Sequence, residues 1–202
     1  MAARLLVCAP LGLEARALRA ALGHNSVRRT GFGPRRSARS ATTVAAADFD
    51  LLVVAGLGGG VGEDVRSGDV VVADEIRGAG STVRCPAAPT LAAELRRAGF
   101  PVHLGPVLTT RHVVRGAQRA ELAATGALAV DMESAVLARA AGSRGFAVVR
   151  VVLDTAEHPL LRPGTPRQAL TALARLHAVG SCLSRWSRAA PPQNRHAPEE
   201  VS

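Results

Sequence analysis

Apolar and polar positions along this chain follow two alternating rhythms. Short, mostly apolar runs rich in valine and leucine occur at residues 4–9, 51–55, 70–76, 102–109, 127–132 and 147–153. Runs of that length, bounded by turn residues, read as buried strands. Other segments are rich in alanine, leucine and arginine and have helical character. Leu18 and Leu22 lie four apart on a helix predicted over 13–22, and helices are also expected over 118–124, 134–141 and 167–183, the last after the breakers Pro163 and Gly164. Thr90 is positioned to N-cap a helix over 91–98 that Gly99 ends, and Gly68-Asp69 makes a turn into the strand at 70–76. Alternation of this kind predicts an α/β architecture with a mixed or mostly parallel sheet covered by helices. One domain is expected over residues 1–185. Residues 186–202, from Trp186 onward, hold little to bury and are expected to form a disordered tail.

Composition changes this picture in three ways. The chain of 202 residues is 48% hydrophobic and 20% charged, as in an ordinary globular domain, but aromatic residues make up only 2%. The core is therefore built from alanine, valine and leucine, and a flat ligand finds few rings to stack on. The formal net charge is +9, and all 25 basic residues are arginine. That balance favours anionic partners. The arginines are spread along the chain, however, without interleaved aromatics or a recognisable module, so no nucleic-acid partner is expected. Cys8, Cys85 and Cys182 lack metal-ligand spacing and read as buried free thiols, with no metal site. The N-terminal apolar run meets Glu14 too soon for a signal peptide, and no stretch reaches the roughly 20 apolar residues of a membrane span. A cytoplasmic protein is expected, with Trp186, Arg185 and Arg188 available for transient contact with a membrane surface.

The run from Gly56 to Gly62 after an apolar strand invites a dinucleotide-binding reading. It fails because Val61 stands where G-x-G-x-x-G needs its last glycine, and because a turn and a strand follow in place of a helix. Gly56, Gly58, Gly59 and Gly60 remain candidates for a loop whose backbone N–H groups cradle an oxyanion, or for a tight strand exit. Three carboxylates stand just past apolar strands: Glu14, Glu133 and Asp154. Ligands of open α/β folds gather at such strand ends. Each acid also has a plainer local use, in a helix first turn or at an N-cap.

Four motifs, in order over about residues 4–183, carry a resemblance. Thr30-Gly31-Phe32-Gly33-Pro34, the glycine run with Gly68-Asp69-Val70-Val71, Ala129-Val130-Asp131-Met132-Glu133-Ser134, and Arg150-Val151-Val152-Leu153-Asp154 resemble the motifs of the nucleoside phosphorylase/nucleosidase superfamily. The stretches Arg111–Gly116, Ala124–Ala127, Asp154–His158 and Arg162–Thr165 are most similar to its hopanoid-associated branch, which is implicated in releasing adenine from adenosylhopane to leave ribosylhopane or its phosphate. The resemblance implies a single-domain, three-layer fold with a mixed central sheet flanked by helices, assembled into homo-oligomers.

It also implies a site. Asp154 would be the general acid that protonates the departing purine. Glu133 would bind the ribose hydroxyls, with Met132 as an apolar floor under the sugar. Glu14 would polarise an attacking water, and Val113 would lie over the base. The reaction needs no metal or organic cofactor, although inorganic phosphate is possible as a co-substrate, with Arg35, Arg36 and Arg111 as candidate ligands. The chain departs from the family pattern at Leu57, Arg111, Val113 and Leu153. His112 and His158 flank the motifs. The expected substrate is a small-molecule or lipid-linked nucleoside. Alternatives are a methylthioadenosine/S-adenosylhomocysteine-type nucleosidase and a non-catalytic nucleoside-binding protein on the same fold.

Overall fold

Fully apolar strands need cover on both faces, and the chain provides it with one sheet and helices around it. The computed structural model describes residues 3–78, 80–155, 165–189 and 200–201. In chain order the elements are β1 (Leu5–Ala9), α1 (Gly12–Leu22), β2 (Val27–Arg29), α2 (Pro34–Ala45), β3 (Leu51–Gly60), β4 (Val70–Gly78), β5 (Ser81–Arg84) and α3 (Ala88–Arg97). There follow β6 (Val102–Thr109), α4 (Ala117–Ala123), β7 (Ala129–Asp131), α5 (Ser134–Ala141), β8 (Gly145–Asp154), α6 (Thr165–Ala189) and β9 (Glu200–Val201).

The fold is a single α/β domain with a mixed sheet flanked by helices, as expected. At its centre β3 and β8 run parallel, with Leu52 beside Phe146 and Val54 beside Val148. β8 is antiparallel to β4, β4 parallel to β6, β6 parallel to β7, and β7 antiparallel to the end of β3. This part of the sheet therefore closes on itself. β1 and β2 extend it on the outer side of β3, and β5 and β9 on that of β4. The core, from Val7 through Val53 and Val71 to Val149, is aliphatic. α6 packs against α1, α3, β3 and β8, while α2 packs against α5. Cys8, Cys85 and Cys182 are buried free thiols.

Four differences from the sequence reading have physical causes. The glycine run is not a loop: Gly56 to Gly60 continue β3, with Gly56 beside Arg150 on β8 and Gly59 beside Val130 on β7. Much of this backbone pairs with β8 and β7, and the Leu57 N–H donates to Glu14 Oε1, so the run is not the loop expected for a converging N–H cradle. The side chains are missing for a steric reason. A Cβ on Gly56 would lie 2.9 Å from Arg150 Nη1 and 3.0 Å from Glu14 Oε1, and one on Gly59 would lie 3.1 Å from Val130 Cγ2.

Thr90 is not an N-cap. It lies within α3, its hydroxyl donates to the Ala87 carbonyl, and Pro89 takes one of the first helical positions. α2 was not expected, because its inward stripe is made of small residues: Ser37, Ala41 and Val44 lie three or four apart, between exposed arginines and threonines. Finally, the boundary at Trp186 falls inside α6, which runs on to Ala189. Trp186 is only 4% exposed and its Nε1 donates to Thr90 Oγ1, while Arg185 pairs with Glu94. The indole is therefore a core residue, which removes it from the expected membrane contact. Among the described residues, no helix is long and apolar enough to cross a membrane.

Candidate active site

The C-terminal ends of β3, β6, β7 and β8 and the loop after β1 surround a cavity of about 290 Å³. Glu14, Met132, Glu133, Asp154, Val113, Gly58 and Gly59 all line it, so the acids expected from three separate stretches meet in one place. Gly56 and Gly60 are not in the lining; they lie in β3. His112, Leu57 and Leu153 also line the cavity, whereas Arg35, Arg36 and Arg111 line an adjoining groove. His158 and Arg162–Gly164 lie outside the described residues.

Glu14 is placed by the first turn of α1. Its Oε2 accepts from Leu11 N at 2.7 Å, which closes the helix N-terminus, and its Oε1 accepts from Leu57 N at 2.8 Å. The carboxyl is thus anchored at both oxygens. Burial raises its pKa above the ordinary glutamate value, and the two backbone donors and Arg150 offset part of that rise.

Glu133 is placed at the N-terminus of α5, and only 3% of it is exposed. Its Oε1 accepts from Gly33 N at 2.8 Å. Gly33 is the N-cap of α2 with φ of +87°, and Pro34 follows at the first turn, so the Gly33 N–H, which has no partner within the helix, is free to donate to the carboxylate. Its Oε2 lies 3.5 Å from Arg150 Nη2. Burial raises its pKa, Arg150 opposes the rise, and Asp131 reinforces it.

Arg150, fully buried on β8, ties the site together. Its Nε and Nη2 donate to Asp131 Oδ2 at 3.0 and 2.7 Å, a two-pronged contact suited to a guanidinium. Asp131 also accepts from Thr109 Oγ1 at 2.8 Å and from the Ser134 hydroxyl. Burial alone would raise the Asp131 pKa, but Arg150 and these hydroxyls outweigh it, so the carboxyl is held below its usual range. Arg150 Nη1 is buried with no hydrogen-bond partner among the described residues, on the side of the guanidinium facing Gly56 and Glu14. A buried unpaired donor is costly unless a ligand or water completes it.

Asp154 closes the far side of the cavity at the end of β8. Its Oδ2 is paired with Arg119 Nη2, and Arg119 Nη1 donates to the Gly60 carbonyl at 2.7 Å and, more weakly, to the Asp154 carbonyl at 3.3 Å. Burial raises the Asp154 pKa; Arg119 and, more weakly, Arg115 pull against it.

Sequence reasoning missed four participants: Arg150 and Asp131, quoted within motifs but given no part, and Arg119 and Phe32. Arg119 sits among 25 arginines with no motif around it, and nothing local distinguishes a buried one. Phe32 was quoted within a motif but given no part; it lines the cavity and is 44% exposed. The Gly-Phe-Gly-Pro spelling, with proline ready for a helix first turn, was the available signal.

Fold and site together define a single-domain α/β protein with an acid-lined small-molecule cavity at its strand ends. The chain belongs to the phosphorylase superfamily, whose sequence profile matches residues 19–179. No curated protein sequence matches it. Among solved structures, it is similar to a Helicobacter pylori MTAN variant with 5′-methylthioadenosine in its active site, at TM-score 0.75 and 15% identity over 92% of this chain and 98% of that one. It is similar to the Neisseria meningitidis 5′-methylthioadenosine/S-adenosylhomocysteine nucleosidase at TM-score 0.75 and 16% identity, over 90% and 98% of the two chains. Helicobacter pylori futalosine hydrolase gives TM-score 0.72 and 15% identity over 91% and 96%. At these identities the likeness is one of fold.

Proposed function

We propose that this chain cleaves the N-glycosidic bond of a purine nucleoside, using Asp154, Glu133 and Glu14 on the three sides of one cavity. The observation that carries the reading is the convergence of these three buried carboxyls on a volume of about 290 Å³, each with a raised pKa. Cleavage builds positive charge on the ribose and negative charge on the base. Asp154, protonated, gives its proton to the purine as the C1′–N bond pair leaves with the base. Glu133, held by Gly33 N and Arg150, accepts the ribose hydroxyls and supports the cationic sugar above Met132. Glu14, anchored by Leu11 N and Leu57 N, takes a proton from the attacking water as the water oxygen bonds to C1′. A buried carboxyl with a raised pKa, placed in the cavity as a base, favours hydrolysis. The phosphate candidates Arg35, Arg36 and Arg111 stand in the adjoining groove, away from Glu14. No metal or organic cofactor is needed in this scheme.

The preferred substrate in this reading is a nucleoside whose 5′ side carries a large apolar group, as in adenosylhopane. Leu11, Phe32 and Val113, all at least 40% exposed, line the cavity, and the groove that shares Phe32 and Met132 with it measures about 1080 Å³. A nucleoside of methylthioadenosine size is the second reading, favoured by the nucleosidases among the structural neighbours. We further propose a homo-oligomer and a cytoplasmic setting, with any contact with a lipid surface made at the apolar mouth.

The test is incubation with adenosylhopane and with methylthioadenosine, each with and without phosphate, measuring free adenine. Adenine released from the hopanoid without phosphate is the expected result. Release only from methylthioadenosine would select the second reading. Tight binding of both without any release would overturn the enzyme reading in favour of a nucleoside-binding protein. Glu133→Gln is expected to lower kcat on the order of a hundredfold with a smaller change in KM; an unchanged kcat would remove Glu133 from the ribose.

A further inference from the structure

α4 is a helix of seven residues, Ala117–Ala123, entered through Gly116 at φ of +54°. Among the described residues of this helix, Arg119 is the one that is buried. The flanking chain is held by a small cluster of its own, Val61, Val114, Ala127 and Val130 with Leu108 and Leu122, separate from the main core. Yet Arg119 crosses from this lightly anchored helix to the ends of two central strands, where it binds the Gly60 carbonyl and both the carbonyl and carboxylate of Asp154. It also lines the cavity. The cation thus rests on the carboxyl that the reading above makes a proton donor, and a guanidinium in contact favours the charged form, which has no proton to give.

We propose that Arg119 is a reversible clamp on the catalytic acid: it holds Asp154 as carboxylate in the empty cavity, and the incoming purine displaces it so that Asp154 takes up a proton. This deepens the assignment of Asp154 as the acid and rests on it. With Arg119 withdrawn, the buried carboxyl gains a proton from solvent. That proton passes to the base as the glycosidic bond pair moves onto the ring, and the carboxylate so formed is paired again when Arg119 returns. The clamp confines the armed acid to the occupied site. Arg119 stands on a short helix whose surroundings pack in a small cluster apart from the main core, which gives the guanidinium room to leave. The charged and titratable groups around Asp154 are Arg119 of α4, Arg115 just before it, Glu14, Asp131 and Glu133 across the cavity, and His112 at its lining. Arg119 is the one among them in direct contact.

The test is a ¹³C NMR titration of the Asp154 carboxyl, identified by its loss in Asp154→Asn, in the wild type, Arg119→Met and Arg119→Lys. Arg119→Met keeps the aliphatic stem and removes the charge, so the titration should move upward by about one pH unit, and lysine should bring it back toward the wild-type position. Saturating free adenine should move the wild-type titration upward and leave Arg119→Met nearly where it was. The alkaline limb of kcat/KM should follow the same order. A purely structural arginine predicts a lower melting temperature and a uniform loss of rate with no displaced limb, and that result would overturn the clamp. So would a wild-type titration that adenine leaves in place. The comparison of ligand-free variants needs no turnover. If it shows the shift while Asp154→Asn retains full base release, the clamp on the carboxyl stands and the role of Asp154 as acid falls.

Discussion

Asp154→Asn is expected to lower base release on the order of a hundred- to ten-thousandfold, the range carried by a positioned general acid, while nucleoside affinity changes by only a few-fold. Asparagine keeps the shape and can still donate a hydrogen bond, but it has no proton to transfer. The loss should therefore fall on kcat and leave KM nearly alone. The pH dependence has a definite sign. Burial holds the carboxyl above its ordinary value, against the pull of Arg119. The donor form is then complete well below that raised value and is lost as pH rises through it, so kcat/KM in the wild type should decline on its alkaline side. In Asp154→Asn the residual rate should lack that limb. Steady-state rates across pH, paired with calorimetric binding of adenine, check both statements; a variant with wild-type kcat would place the proton donor elsewhere.

Arg150→Met is expected to destabilise the fold by about 3–5 kcal/mol, the usual consequence of leaving buried charges without their partner. The side chain is fully buried and makes paired contacts with Asp131, a third contact with Glu133, and an electrostatic contribution at Glu14. Methionine fills much of the volume but leaves those carboxyls facing one another. The deficit should depend on pH. In the wild type the depressed Asp131 pKa contributes stability present above its unfolded value and lost as pH falls through the folded one. Without Arg150, burial would dominate and the same carboxyl would prefer its proton. The difference between variant and wild type is therefore largest near neutrality and narrows on acidification. Urea denaturation at several pH values measures it directly; a constant gap would mean that lost packing, and not stranded charge, is the cause.

Two features of the site bear on both results. The three cavity acids all have raised pKa values. For a carboxyl this means that its stabilising contribution is complete below the unfolded value and lost as pH rises through the folded one. The pocket is in this sense held together against its own charge, with Arg150 and Arg119 as the buried cations that offset it. Function and stability consequently pull in opposite directions at Glu14, Glu133 and Asp154, a common arrangement at functional sites.

The apolar runs were sufficient to place the main strands, because a stretch such as Leu51–Ala55 has no polar face to present to water and must be covered on both sides. The same logic, with motif resemblance added, marked Glu14, Glu133 and Asp154, since each is a short chain distance past a strand. Local pattern did not mark α2 clearly: Pro34 is suited to start it, but its inward stripe of Ser37, Ala41 and Val44 is small and needs α5 to cover it. Nor could it separate a glycine loop from a glycine strand. That choice rests on pairing with β8 and β7, and on Arg150, Glu14 and Val130, which come from distant parts of the chain and crowd the space where side chains on Gly56 and Gly59 would sit. Trp186 followed the same rule: its sequence neighbours are polar, and only Thr90, far away in the chain, shows it to be core. Periodicity records what each segment must hide from water, so it determined the layers and the strand ends where the acids stand. Which charge meets which is a matter of long-range packing, and the pairing of Arg150 with Asp131 and of Arg119 with Asp154 exists only once the sheet has closed.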